Sequence, residues 1–366
     1  MSAEGINSLT SLIINELYAS PTETGNFVFS VFGLYILLGI INLGQKGRNF
    51  NQLSKCLGKD FRTYFDRDNW RYLDSIYKFI HLYDLLEKNM QAKTAMFHSC
   101  ALHQQYQEIL QKFDIQKIKV NFSDSTDLAI KMEGWIYRDT LEEITNTYGE
   151  TTQSDNTIVF LSEIIFPALT NQEIFVDEKG RRFIVQMMNE QSYNNIYDSP
   201  EQNFRIHFKF LKNIAIYSAV VLPKQGYTIA DVLRSFKFGK IGTYFQQSKW
   251  KYVHLKLPKF KIFSQNYLIK ALKNIGVTDI FERNNSNFGW MTNDTVYIGN
   301  LIQRANIEID DVDVSVEAIE TKAIEPLPQP EEFHVTRPFL FLVYWLYEEF
   351  VLISAVVTNP NDAQNL

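Results

Sequence analysis

A chain of 366 residues, 45% of them apolar, has ample material for a large core, and with no linker-like tract, repeat period or low-complexity stretch it reads as one domain over residues 1–366. Lys and Arg number 36 against 42 Asp and Glu, a net charge of −6 with both signs spread along the chain, which excludes the clustered basic face of a nucleic-acid binder. Cys56 and Cys100 are the only cysteines, enough for one disulfide but not for a disulfide framework, and they fit a reducing compartment slightly better than an oxidising one.

Met1 to Tyr18 carries Glu4 and Glu16 and no basic residue, so it lacks the pattern of a secretory leader. A cytoplasmic location is expected, with export by another route left open. The 28 Phe and 19 Tyr, together with many Ile, Asn and Lys, are residues of AT-rich codons. That bias hints at an AT-rich genome such as those of some viruses and parasites.

In chain order, Leu9 to Tyr18 has apolar residues at helical spacing. Phe27 to Gly44 is an uncharged run of membrane-span length, but Ser30, Gly33, Gly39, Asn42 and Gly44 interrupt it. The spacing predicts a short strand, Phe27–Phe29, and a buried helix, Gly33–Asn42, with no membrane insertion. Leu53–Leu57 is a helix closed by Gly58, and residues 61 to 112 read mostly as helices. Ile118–Phe122 alternates as a strand, Asp127–Tyr137 and Leu141–Ile144 as helix, and Thr157–Phe166 as a buried strand.

The second half predicts strands at Phe183–Met188, Phe204–Phe210, Ile214–Leu222 and Tyr252–Leu257, with a helix at Thr228–Phe236. Ser264 is a candidate cap for a helix Gln265–Asn274 that stops at Gly276. Ile298–Ile309 is a long strand. Phe339–Leu346 and Phe350–Val357 are nearly continuous apolar runs joined at Tyr347-Glu348-Glu349, the pattern of a hairpin buried on both faces. Between Ile309 and Phe339 nothing orders the chain, and Pro326, Pro328 and Pro330 fall there. A stretch of that length in a compact protein is functional or disordered.

Catalytic constellations are missing. The sequence has no glycine-rich phosphate loop, HExxH, CxxC or GxSxG. Of His81, His98, His103, His207, His254 and His334, only His98 and His103 are close in sequence, at i, i+5, and they read as a surface pair. No enzymatic activity, cofactor or metal is expected. Asp310-Asp311 and Glu348-Glu349 read as solvated charge. Trp70, Trp135, Trp250, Trp290 and Trp345 read mostly as core anchors.

Several segments, taken in order, resemble the serpin family. They are Asn26-Phe-Val-Phe-Ser30 with Leu43-Gly44-Gln-Lys-Gly47, Val120-Asn-Phe122, and Trp135 with Thr140 and Ile144. Leu257-Pro-Lys-Phe-Lys261 follows, then Leu268 to Phe281 with Leu272, Gly276 and Val277. Arg337-Pro-Phe-Leu-Phe-Leu342 and Asn359-Pro360 complete the series. The resemblance runs from end to end and implies an α+β serpin fold, with helices around three β-sheets and a long exposed reactive loop at about 310–337. It also implies a suicide-substrate inhibitor of a serine or cysteine endopeptidase, whose cleaved loop inserts into the central sheet as an extra strand. The family's usual spacing from Pro338-Phe339 places the nominal scissile bond at Leu327-Pro328. The hinge then comprises Asp313, Val314, Ser315, Val316, Glu317, Ala318 and Ile319.

This chain departs from the family pattern at several of these positions. Asp313 stands at a glycine position, and Val316-Glu317-Ala318-Ile319 replaces a run of small residues. Val314, Val316 and Ala318 would share one strand face, and so would Glu320 and Lys322. Burying unpaired charges there would cost several kcal/mol, so the hinge alone predicts little thermal gain on loop cleavage. Pro328 has a fixed φ and no N–H, which makes Lys322-Ala323 the alternative cleavage site. The resemblance also implies a polar cluster controlling the central sheet. There Ser162-Glu163 replaces Asn-Ala, Gln303 stands for a histidine, and Gly33 stands for a serine. Two readings follow: a protease inhibitor, and a non-inhibitory serpin-fold protein that binds some other protein partner.

Overall fold

The computed structural model describes residues 3–19, 25–60, 92–140, 157–166, 172–177, 179–211, 216–309 and 329–361. The chain opens with α1 (Ala3–Tyr18), β1 (Phe27–Phe29), α2 (Val31–Leu43) and α3 (Gly47–Cys56). α1 buries Ile6, Leu9, Ile13 and Ile14, the three- and four-residue spacing of a single apolar stripe. Ser30 ends β1 and caps α2, its Oγ accepting from the Gly33 N–H at 3.1 Å. The uncharged run is thus a strand followed by a helix of 13 residues that is buried on nearly every side. That helix is about 20 Å long, and no described helix is long and apolar enough to cross a membrane. At the end of α3, Gly58 has φ +64, the left-handed turn expected of it.

Next come β2 (Lys93–His98), α4 (Gln104–Lys112), β3 (Ile115–Lys119), α5 (Ser125–Thr140) and β4 (Thr157–Phe166). Lys93–His98 is a strand and not the expected helix, because it lies inside a sheet, paired with β3 on one side and β4 on the other. Such a strand is buried on both faces and loses the alternation that would reveal it. β3 begins three residues before the expected Ile118. Val120 and Phe122 lie just past it and pack with Trp135, Phe97 and Leu161 in a second apolar cluster. His98 is buried, with Nδ1 3.0 Å from the Cys100 carbonyl, so His98 and His103 are not a surface pair.

The second half contains β5 (Gln172–Val176), β6 (Arg182–Asp198), β7 (Phe204–Leu211), β8 (Ile216–Pro223), α6 (Ile229–Ser235) and α7 (Ile241–Gln246). It continues through β9 (Lys249–Pro258), β10 (Phe260–Tyr267), α8 (Leu268–Asn274), β11 (Tyr297–Ile309), β12 (Glu331–His334), β13 (Phe339–Trp345) and β14 (Phe350–Val357). Thr228 caps α6 through a reciprocal capping box with Asp231. Ser264 does not cap a helix. It lies within β10, where alternate residues from Phe260 to Asn266 face inward, and its Oγ accepts from the Val28 N–H at 2.9 Å. Asn266, two residues on, donates to the Val28 carbonyl at 2.8 Å. Helix α8 therefore starts at Leu268, and Gly276 follows it with φ +95.

One sheet has five strands in the order β10-β11-β4-β2-β3. A nine-stranded arrangement runs β1-β14-β13-β8-β7-β6-β9-β12, with β5 branching from β6. The hairpin β13–β14 is buried at every position, as its apolar runs required. The two chain ends meet beside it: the Asn26 side chain accepts from the backbone N–H groups of Thr358 at 2.6 Å and Asn359 at 3.0 Å, and donates to the Asn359 carbonyl. Cys56 and Cys100 are free thiols, each pushed up to about 11 by burial. Trp135 and Trp345 are core residues as expected, whereas Trp250 at 65% and Trp290 at 39% exposure are not.

Candidate functional site

The hinge residues Asp313, Val314, Ser315, Val316, Glu317, Ala318 and Ile319 lie outside the described residues. So do the nominal bond Leu327-Pro328, the alternative bond Lys322-Ala323, and Asp310-Asp311. The frame that carries them is described: Ile309 ends β11 upstream, and Gln329 resumes the chain downstream. Within the stretch expected to lack order, Glu331–His334 forms strand β12, parallel to β9.

The downstream stem is held by charge, packing and backbone bonds. Arg205 Nη2 donates to Glu331 at 2.7 Å, and Nη1 donates to the Glu332 carbonyl at 3.2 Å. Its guanidinium lies 4.8 Å from the centroid of the Phe333 ring. Lys251 pairs with the second Glu331 oxygen. Phe333 and Val335 are fully buried, and the Val335 N–H donates to the Lys256 carbonyl at 2.8 Å. Arg337 Nε then donates to the Pro223 carbonyl at 3.0 Å. Beneath Phe333, with ring centroids 5.3 Å apart, lies His207. Burial and the charges of Lys209 and Arg205 push its pKa down to about 3, and among the described residues neither ring nitrogen has a hydrogen-bond partner. It is a neutral core imidazole lining a cavity with Met188, Leu255, Ile309 and Phe341.

The upstream stem is built differently. β11 is antiparallel to β10 and parallel to β4, the latter register running from Tyr297 opposite Thr157 to Ile307 opposite Phe166. Beyond Ile307, Glu308 and Ile309 pair, among the described residues, with β10 alone. Near the middle of this parallel seam Gln303 faces Ser162, yet their side chains turn away from each other. The Gln303 amide binds both backbone groups of Ser30, accepting from its N–H at 2.8 Å and donating to its carbonyl at 2.9 Å. Ser162 accepts from Thr94 on β2 at 3.2 Å. At the end of the seam away from the loop, Thr157 donates to the Tyr297 hydroxyl at 3.3 Å. Arg304, opposite Glu163 in register, is fully buried with its guanidinium 4.8 Å from the centroid of Phe263. Beneath Ser162 and Thr94 is a cavity floored by Gly33, Leu37 and Ile40.

The parallel seam has a chemical consequence. A chain that leaves the end of β11, reverses and enters between β4 and β11 would run antiparallel to both. Each new ladder would then be of the slightly more stable antiparallel type, replacing one parallel ladder. The fifteen or so residues from Asp313 to Leu327 extend to about 50 Å, against about 33 Å for a ten-residue seam.

The family model described as Serpin (serine protease inhibitor) matches residues 4–360. The chain belongs to the serpin family. Human glia-derived nexin is 23% identical over 384 residues, covering 98% of this chain and 94% of that protein. Human serpin B7 is 24% identical over 362 residues, covering 92% and 93%. Among solved structures, native protease nexin-1 with heparin superposes with a TM-score of 0.82 at 21% identity, covering 98% of this chain and 99% of the other. A serpin from the trematode Schistosoma haematobium gives 0.77 at 20%, covering 97% and 99%. The serpin fold expected from the motif order is thus the fold found.

Sequence reasoning identified Ser162, Gln303 and Gly33 as departures but did not foresee that Gln303 would bind Ser30 while Ser162 turned to Thr94. It also missed the convergence of His254 with Glu332 and His334, about 80 residues later in the chain. The usable signal was the alternation of Glu332 and His334, which marks a strand with two ligand-type side chains on one face.

Proposed function

We propose that this serpin inhibits an endopeptidase of the serine or cysteine class by offering the segment between β11 and β12 as a substrate. The protease nucleophile adds to the scissile carbonyl, the downstream amine departs, and an ester or thioester holds the upstream arm. That arm then enters the β4–β11 seam. The observation that supports this reading most is the seam itself, a parallel pair fed by β11 and lacking a side-chain bond between Ser162 and Gln303. Incubation with a panel of serine and cysteine endopeptidases tests it. The expected product is a complex of protease and serpin that survives SDS. Clean cleavage with full recovery of protease activity by every member of the panel would overturn it.

The second reading, a non-inhibitory serpin that binds another protein, draws on the loop chemistry. Asp313, Glu317, Glu320 and Lys322 stand where insertion favours small or neutral side chains.

A further inference from the structure

Glu332 and His334 alternate on the edge strand β12, so both side chains leave the same face. The parallel register sets Glu332 beside His254 of β9. One ligand atom from each of the three residues lies within 4.8 Å of the other two. His254 Nδ1 is 3.0 Å from Glu332 Oε2, and His334 Nε2 contacts the same oxygen. The two imidazoles stand perpendicular with centroids 5.1 Å apart.

The ring of His254 is oriented from behind. Its Nε2 lies 2.8 Å from Oδ1 of Asn189 on β6. An amide oxygen only accepts, so Nε2 donates to it, and Nδ1, once freed of any proton shared with Glu332, is the nitrogen turned toward a metal between Glu332 and His334. Metal-binding imidazoles are commonly oriented by such an outer hydrogen bond. Two imidazole nitrogens and a carboxylate form a donor set of open zinc sites, where a water fills the fourth position. Ligand atoms around a tetrahedral zinc are about 3.3 Å apart, close to the 3.0 Å between His254 Nδ1 and Glu332 Oε2, so the site needs only small side-chain adjustments, with His334 moving away from the Glu332 oxygen it contacts. Glu332 is 56% exposed and His334 36%, which leaves room for a water on the solvent side.

We propose that His254, Glu332 and His334 bind a divalent transition-metal ion of the zinc type, which clips edge strand β12 to β9 at the downstream foot of the loop. Lys256 stands opposite His334 in register, and its charge makes the site weaker than a closed four-ligand one. The competing state of the same cluster is ionic, with Glu332 paired to protonated imidazoles and no metal bound.

The full chain, stripped with a chelator and dialysed, is titrated with zinc by calorimetry and with cobalt(II) by visible absorption. The expected result is one ion per chain, a tetrahedral cobalt spectrum, and a rise in melting temperature with zinc that follows its binding isotherm. His254→Ala and His334→Ala are each expected to weaken binding at least about tenfold, and Glu332→Gln, which keeps the shape, to weaken it as well. His103→Ala should change nothing. Far-UV circular dichroism confirms that each variant is folded, and if either alanine variant is not, His334→Gln takes its place. Absence of binding, or binding that survives in the folded His254 and His334 variants, would overturn the proposal.

Discussion

The two stems of the loop are anchored by opposite means. Downstream, Arg205, Lys251 and Glu331 form a charge network around β12, and Phe333 and Val335 are sunk in the core. Upstream, β11 meets β4 through a parallel backbone ladder, while Gln303 and Ser162 spend their hydrogen bonds elsewhere. A protein that must keep one end of a cleaved loop in place and let the other move needs this asymmetry. On the proposed mechanism, the fixed point is at β12 and the yielding point at the β4–β11 seam.

The largest expected effect comes from breaking the fixed end. Arg205→Ala removes a charge-assisted bond to Glu331, a bond to the Glu332 carbonyl and the cover over Phe333, and should cost about 3 kcal/mol in urea unfolding. A loss below about 1 kcal/mol would mean that β12 is held by its backbone ladder and Phe333 alone.

Acid should loosen the same stem next. His207 is neutral in the folded chain, with a pKa of about 3, below the ordinary value near 6.5. Its contribution is fully present above about pH 6.5 and is lost as pH falls toward 3, because the unfolded chain takes up a proton that the native chain does not. About 2 kcal/mol should disappear between pH 7 and 5, with a smaller loss of the same sign from buried His98, whose pKa is also lowered by burial. Stability curves at both pH values check this, and His207→Phe should flatten the slope. An unchanged slope in that variant would assign the acid sensitivity to other groups.

At the yielding end the effects are smaller. Gln303→Ala leaves the buried Ser30 N–H without its partner, while the Ser30 carbonyl keeps the Leu34 N–H at 3.1 Å, and should cost about 1–2 kcal/mol. It should also speed complex formation with a protease, since Gln303 ties β11 to the layer below the sheet. Slower trapping would contradict that role. Smallest is Gly33→Ala, which adds a methyl to the first turn of α2 beside the cavity and should raise stability by up to about 1 kcal/mol. A loss of stability would mean that the cavity is too tight for the methyl.

How much of this was legible in the sequence depends on how local each signal is. The β13–β14 hairpin, the helix Ile229–Ser235 and the glycine after α8 are written in neighbouring residues, and each stands within about a residue of where the pattern puts it. Lys93–His98 and Ser264–Tyr267 were misread because strand pairing on both sides, and bonds from Ser264 and Asn266 to Val28 over 200 residues away, override their local pattern. The site divides the same way. Motif order places the expected loop between β11 and β13, without foreseeing β12, and the side-chain partners of Gln303, Ser162 and Arg205 depend on contacts between distant strands, which no spacing rule encodes. Likewise, three ligand-type residues on two strands become a cluster only through the β9–β12 register.

The claim that the β4–β11 seam receives the cleaved loop is tested most directly by scanning calorimetry of intact and loop-nicked protein side by side. Where the hinge charges alone would give little thermal gain, the proposed insertion adds a strand bonded to both β4 and β11, and the nicked form is expected to melt more than about 10 °C above the intact one, equivalent to several kcal/mol. Equal melting temperatures would contradict insertion, and would leave the charges at Asp313, Glu320 and Lys322 as the feature that defines a non-inhibitory binding protein.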